Sequence, residues 1–396
     1  MNSIKIAVIQ LSFPLQGYTR DLVNALTEKG CIVDLIINSD CDKNFIDLSS
    51  ITCNVCEINK NKIVGYLERI RGRIAQYTNA LPYINSFITR RDVCSVIDKL
   101  NKHDVLIGIE KNGLEMAYLW SKKNHNIPVV YWSLELYIED HFAYKNFRWQ
   151  RKSEKFCHQN AEGTIIQDKY RWLALKTAND VRNDNVFYLP IVVRKNMATN
   201  VIDKSNTCIT NPIKLLYFGI IDKNRMSFDI VRQIQRFKEL NVKLRLHGPV
   251  VNKTNNKIFD ENIPPTIKIT TNLVSEKEVY DIINENDIGI ALYKSDNSND
   301  YYTIYSSQKI ALYLQCGKPI IVWQTEPAKD LFNRYKCGVM INNLEELEEA
   351  VQKIQQYYDN YQKEALRAFS DIYDSDIYWD NLINFLIQRL NKIGIT

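Results

Sequence analysis

Long apolar runs are missing from this chain. Nowhere in its 396 residues does a stretch approach the roughly 18–20 consecutive apolar residues that span a bilayer. The opening MNSIKIAVIQLSF carries a short apolar run without a small-residue cleavage site, so it reads as a first core strand and not as a secretory leader. No Gly-x-Gly-x-x-Gly follows that strand, which counts against an NAD-binding dehydrogenase. Metal patterns are equally scarce. Nine cysteines, odd in number and scattered, fit a reducing compartment. Only Cys53-x-x-Cys56 is a close pair, and without two further ligands at zinc spacing it reads as two ordinary cysteines along a strand. Asp40-Cys-Asp42 and Asp374-Ser-Asp376 have the spacing of a metal-binding pair, but chance explains them better, and no metal is expected. A net charge of +5, with no basic helix interleaved with aromatics, leaves no footprint for nucleic acid. Solenoid repeats and low-complexity segments are absent too. The remainder, 45% hydrophobic and 24% charged, is an ordinary globular composition, long enough for two domains with separate cores.

What is present is organised around one stretch. Ile288 to Leu292 is a buried strand, followed by a polar, aromatic loop with no helical or strand period. A helix then opens at the hydroxyls of Ser306 and Ser307, with Ile310, Ala311 and Leu314 on one face, and stops at Gly317. Pro319 leads into a second buried strand, Ile320 to Trp323. Open α/β sheets bind ligands at the carboxyl edge of their strands. A helix start at that edge offers free N–H groups and a positive dipole end, which suits phosphate. Lys309, about one turn in, adds a mobile positive charge. The expected ligand is an anionic nucleotide group.

The segment SSQKIALYLQCGKPII resembles the donor-binding segment of GT-B glycosyltransferases similar to family 4, usually written Ser-Pro-x-Lys-x-x-Glu-Tyr-x-x-x-Gly-Lys-Pro-Val-Ile. Ser306, Lys309, Tyr313, Gly317, Lys318 and Pro319 match. The ribose-binding glutamate falls on Leu312, and the earlier acidic residue of the family's Glu-x7-Glu pair falls on Ile304. The resemblance implies an α/β chain of the GT-B fold, two Rossmann-like domains facing a cleft. Residues 1–195 would hold the acceptor, 196–212 form a linker, 213–375 hold the nucleotide-sugar donor, and 376–396 return as a helix to the first domain. It is strongest from Ile213 to Trp323 and weak before about Ile127.

The rest of the chain fits that frame. Ile4 to Gln10 is a continuous apolar run of the central parallel type. A turn, a helix from about Thr19 to Lys29 closed by Gly30, and a strand from Ile32 to Ile37 follow. Gly17 in the turn lets backbone pass close to a ligand. The resemblance sets that loop against the sugar diphosphate, although a simple turn explains the glycine as well. Residues 60–91 are basic and amphipathic, with Lys60, Lys62, Arg69, Arg71 and Arg73 among Ile63, Val64, Tyr66, Leu67, Ile70 and Ile74. Such a helix lies on an anionic membrane surface, as in family members with lipid-linked acceptors, or it is a solvated face with its stripe in the core. Strands at 104–110 and 127–133 run into Glu110 and Glu135. The resembling family often carries a His-Asp pair after the second of these, with Leu134 at the His position. Glu135 is therefore expected to bind the acceptor or act as an acid/base carboxylate, with Glu110 second. A helix-start residue complementing the dipole is the other reading of Glu135.

Val193 to Asn211 is polar and without period, and a second βα series begins at IKLLYFG. The resemblance puts a basic residue that grips the donor diphosphate after Gly219, where Lys223 and Arg225 stand. Arg225 offers a bidentate fork, though a solvated loop arginine is spelled the same way. His247 ends the strand Val242 to His247 and joins the donor-binding set. The implied activity is sugar transfer from a nucleotide-diphosphate donor to a glycan, glycolipid or small-molecule acceptor. It would be retaining and metal-independent, with the nucleotide sugar as co-substrate and no other cofactor. The setting would be cytoplasmic, with peripheral contact to the inner membrane surface through residues 60–91. The lost acidic pair supports a competing reading, a catalytically silent GT-B-like subunit that regulates a partner transferase. An epimerase or phosphorylase of the same fold is a third.

Overall fold

The computed structural model describes residues 3–11, 17–38, 48–58, 102–124, 126–138, 148–194, 209–222, 225–250, 264–294 and 296–391. The basic segment 60–91, Asp40-Cys-Asp42 and Lys223 lie outside the described residues. The chain divides into two compact units, Met1–Leu189 with Ile377–Thr396, and Pro190–Asp376.

In the first unit the apolar runs become a parallel sheet. Its strands are β1 (Lys5–Gln10), β2 (Ile32–Asn38), β3 (Asn54–Ile58), β4 (Val105–Ile109), β5 (Val129–Trp132), β6 (Gly163–Ile166) and β7 (Val186–Tyr188). They stand in the order β3-β2-β1-β4-β5-β6-β7. Ile6, Ala7, Val8 and Ile9 are fully buried, as expected of a strand covered on both faces. The order reverses between β1 and β4, the kind of switch point where such sheets bind ligands. The connecting helices are α1 (Gly17–Glu28), α2 (Glu110–Lys123), α3 (Arg148–Gln159) and α4 (Lys169–Asn179). Cys53 and Cys56 carry free thiols, and among the described residues no cluster of His, Cys, Asp or Glu could hold a metal ion.

The second unit repeats the plan. Strands β8 (Ile213–Phe218), β9 (Val242–His247), β10 (Ile267–Thr270), β11 (Ile288–Ile290), β12 (Ile320–Trp323) and β13 (Gly338–Ile341) form a parallel sheet in the order β10-β9-β8-β11-β12-β13. Its switch point lies between β8 and β11. The helices are α5 (Ser227–Ile234), α6 (Glu276–Asn284), α7 (Ser298–Tyr301), α8 (Gln308–Gln315), α9 (Glu326–Arg334), α10 (Leu347–Gln356) and α11 (Tyr358–Ala368). Their ends follow local chemistry. Ser275 and Glu278 close a capping box on α6, and Thr325 caps α9 ahead of Pro327. At the end of α8 the Lys318 N–H donates to Tyr313 O and the Gly317 N–H to Leu314 O. That is a Schellman closure, with Gly317 at φ +63.

The last helix, α12 (Trp379–Asn391), belongs to the first unit. Lys29 pairs with Asp380 at 2.6 Å, and the rings of Phe385 and Phe187 lie 5.6 Å apart. Among the described residues, no helix is long and apolar enough to cross a membrane.

Two expectations need correcting. The loop after β11 contains the short helix α7, capped by Asn297; four residues are too few to show a period. Glu135 starts no helix, since residues 133–138 run without helical structure after β5, so the dipole reading of that residue fails.

Candidate donor site and a second carboxylate cluster

The turns at the carboxyl edge of the second sheet meet through two glycines. Gly219 follows β8 with φ +146 and Gly248 follows β9 with φ +149, a region open to glycine and strained for other residues. The Gly219 N–H donates to His247 O at 2.9 Å. A Cβ on Gly248 would stand 2.1 Å from Gly219 O, and a Cβ on Gly219 would stand 3.1 Å from Lys309 Nζ. The lysine therefore lies directly on the backbone of the first turn, in space that a side chain would take.

Lys309 comes from the first turn of α8. Its ammonium sits over two rings, 4.7 Å from the centre of Tyr217 and 4.4 Å from that of Tyr293, the arrangement of a cation–π contact. Burial first, and then the nearby Arg225 charge, pull its pKa down to about 7, with Asp300 opposing the shift. Arg225 lies on the same side, its Nη1 3.5 Å from Asp300 Oδ2. Tyr293 is fixed from two directions. Its hydroxyl is hydrogen-bonded to Ser307 Oγ at 2.5 Å, and its carbonyl accepts from Trp323 Nε1. Ser307 is the N-cap of α8, accepting from the Ile310 N–H. Tyr313 braces the other wall. Its hydroxyl donates to Leu216 O at 3.1 Å and accepts the Phe218 N–H at 3.0 Å, immediately before the Gly219 turn.

Gly219, Arg225, Ser307 and Lys309 thus stand near one another beside the start of α8. Other residues of the expected set do different work. Ser306 closes its own loop, its N–H donating to Thr303 O at 2.9 Å and its hydroxyl to Tyr302 O at 3.3 Å. His247 is a correction to the donor set. It is 2% exposed, hydrogen-bonded through Nδ1 to Thr270 Oγ1 at 2.6 Å and stacked on Phe218 at 5.2 Å. It holds the strand ends together and has no free face for a ligand. Gly17 opens α1 in the first unit. An added Cβ there would meet only Arg20 Nη2 at 3.8 Å, so the backbone does not demand a glycine. Ile304 and Leu312 are buried in the apolar core of the second unit, so no carboxylate stands at either motif position. Sequence reasoning missed the Tyr217–Tyr293 cage, Asp300 and Gly248. Only Gly248 left a signal, a second glycine directly after a core strand.

In the first unit Glu110 is the unusual residue. It follows β4 with no intervening loop, as the first residue of α2, at φ +59. Left-handed backbone at a non-glycine residue is uncommon and clusters at functional places. Its Oε1 accepts the Leu134 N–H at 2.6 Å and the Glu135 N–H at 2.9 Å. Arg171, fully buried, donates to Leu134 O, and Lys111 donates to Tyr137 O. The segment after β5 is therefore held from three sides, with the half-buried Glu135 on it. Burial, aided by Glu135, raises the Glu110 pKa to about 7 against those two N–H bonds and Lys111. A carboxyl whose folded pKa is raised stabilises most below its unfolded value, and that contribution is lost as pH climbs through the folded value. Glu110→Gln keeps the acceptor and removes the charge. Its melting temperature should match wild type near pH 4.5 and exceed it above pH 7 by at least about 2 °C. Parallel curves across that range would contradict the buried, charged assignment.

Two parallel-sheet Rossmann-like units, the second with Lys309 and Arg225 near its switch point, have the GT-B architecture. Residues 226–384 match the family described as glucosyltransferase 3-like, C-terminal domain. Among solved structures, HepE of Anabaena in complex with UDP is similar at 12% identity and a TM-score of 0.68, over 97% of this chain and 100% of that one. Sucrose-phosphate synthase of Thermosynechococcus elongatus is similar at 10% identity and a TM-score of 0.69, over 97% and 98%. A glycosyltransferase of Rickettsia africae is similar at 13% identity and a TM-score of 0.66, over 98% and 99%. HepE is also known in complex with UDP-glucose. No curated protein matches the chain in sequence.

Proposed function

We propose that this protein transfers a sugar from a nucleoside-diphosphate donor, seated at the β8–β11 edge of the second unit, to a glycan or glycolipid acceptor. The observation that carries the reading is the pair of cations, Lys309 and Arg225, beside the Gly219 turn and the start of α8. Departure of the sugar leaves growing negative charge on the diphosphate. Fixed cations and helix N–H groups stabilise such charge without reorganising, and preorganised electrostatics of this kind commonly supplies the greatest share of a rate enhancement. On this reading no divalent ion is needed, the anomeric configuration is retained, and Glu135, held by Glu110, orients the acceptor. The UDP and UDP-glucose complexes of HepE support a nucleotide sugar as donor.

The test is a thermal-shift screen against UDP, GDP, ADP and TDP, with and without magnesium. A ligand of the folded state raises the midpoint by mass action. A shift with one diphosphate, equal in both conditions, is the expected result. Absence of any shift would overturn the donor site and favour the silent-subunit reading, for which the apolar Ile304 and Leu312 speak.

A further inference from the structure

Glu154 is a buried carboxylate in the first unit that takes no part in the donor seat. It stands on α3, 1% exposed, and collects donors from its surroundings. The Tyr131 hydroxyl donates to its Oε1 at 3.0 Å, Arg151 Nη1 donates to its Oε2, and the Lys111 ammonium lies 3.5 Å from Oε2. Burial favours the neutral form, but Lys111, Arg151 and these bonds outweigh it and hold the pKa below the usual carboxylate value. Buried ion pairs are often no more stable than apolar side chains of like volume, so stability alone does not account for this one.

Lys111 shows what the charge acts on. It is the residue after Glu110, and its Nζ also donates to Tyr137 O at 3.0 Å. Glu110 accepts the Leu134 and Glu135 N–H groups. Two consecutive residues of opposite charge thus grip one segment, the carboxylate on its amides and the ammonium on a carbonyl just beyond Glu135. An ammonium beside a poorly hydrated carboxylate is drawn to it, and Glu154 draws Lys111 the other way. We propose that Glu154 is a positioning residue for the segment 133–138: it holds the Lys111 ammonium on Tyr137 O and away from Glu110, fixing the backbone that carries Glu135. Its link to the acceptor rests on the reading above, from which it takes only the part given to Glu135. Glu135 itself, Tyr18 of α1 and the buried Arg171 of α4 also lie in the field of Glu110, and all three stay unchanged in the test.

The experiment compares melting temperatures from about pH 4.5 to 9 for Glu154→Gln and Lys111→Met, each alone and combined with Glu110→Gln. Both substitutions break the same buried pair, and both should lower the melting temperature. A merely structural pair would leave the gap that Glu110→Gln opens at high pH as it is in wild type. The positioning role moves that gap in opposite directions. With Glu154→Gln the ammonium is released toward Glu110, the ionised carboxylate is favoured, and the gap above pH 7 should fall to less than about half. With Lys111→Met the Glu110 carboxylate loses a cation that holds its pKa down. The gap should then widen by about 2 °C or more and go on growing beyond pH 7. Amides of residues 133–138 should exchange hydrogen at least about threefold faster in both variants, and those of β13 at the wild-type rate. Gaps that match wild type, or that shift the same way in both variants, would overturn the assignment, as would unaltered exchange at 133–138. If one variant does not fold, the direction of the gap in the other decides. None of these readouts needs a donor or an acceptor, so a failed nucleotide screen would refute the donor reading and leave this result intact.

Discussion

Lys309→Met should weaken donor binding at least about tenfold without lowering the melting temperature. The ammonium is half-buried against two tyrosine rings and makes no hydrogen bond or ion pair among the described residues. A methionine of similar length fills the cage and removes a poorly hydrated charge. A charged hydrogen bond to phosphate contributes roughly 1.5–3 kcal/mol, so affinity for a sugar nucleotide should fall at least about tenfold. Wild-type binding should itself depend on pH. Lys309 in the free protein loses its proton near pH 7, whereas a bound diphosphate holds it protonated. Binding above pH 7 therefore takes up a proton, and affinity should fall by up to about tenfold per pH unit there. UDP-glucose is the proper probe, because its phosphates stay fully ionised throughout. Lys309→Arg should bind with little pH dependence. Stability runs the other way: with the folded pKa depressed from 10.5 toward 7, the unfolded chain holds more protons between those values. The cost of burying the charge is thus present below pH 7 and relieved as pH rises toward 10.5. Any gain in melting temperature in Lys309→Met should be largest at low pH. Normal binding by the methionine variant would remove Lys309 from the site.

Gly248→Ala should have the larger effect on stability. The added methyl would stand 2.1 Å from Gly219 O, at a φ of +149, so steric and conformational costs combine and no flexible side chain can yield. Losses above about 4 kcal/mol are the mark of such mechanisms, which for a unit of this size means a fall of about 8–16 °C in melting temperature. Donor binding should go with it, because the Lys309 ammonium rests against the Gly219 turn. Gly219→Ala meets the mobile end of that lysine at 3.1 Å and should cost less stability while still displacing the cation. A Gly248→Ala protein that melts like wild type would show that the two turns are not in contact.

Much of this is legible in the sequence, for physical reasons. The continuous apolar runs of β1, β4, β8 and β12 announce strands buried on both faces. Ser307, Lys309 and Gly317 announce a capped helix at a strand end because caps and C-terminal glycines are local chemistry. What stays hidden depends on contacts far apart in the chain. Nothing in IGIEKNG says that Glu110 begins a helix with left-handed backbone, since the two amides that reward it are in Leu134 and Glu135. A histidine ending a strand reads as a ligand; His247 is withdrawn by Phe218 and Thr270. Asp300 reads as one more polar residue in a loop because α7 is a single turn.

The bridging phenol of Tyr313 ties α8 to the end of β8, so the lysine and the glycine turn travel as one piece. A sideways slip of the helix would have to drag the strand end with it, or leave the Phe218 amide without an acceptor. The proposed donor seat therefore has one setting, and the tolerance for misalignment that its many aromatic neighbours would otherwise allow is removed by a single hydroxyl group.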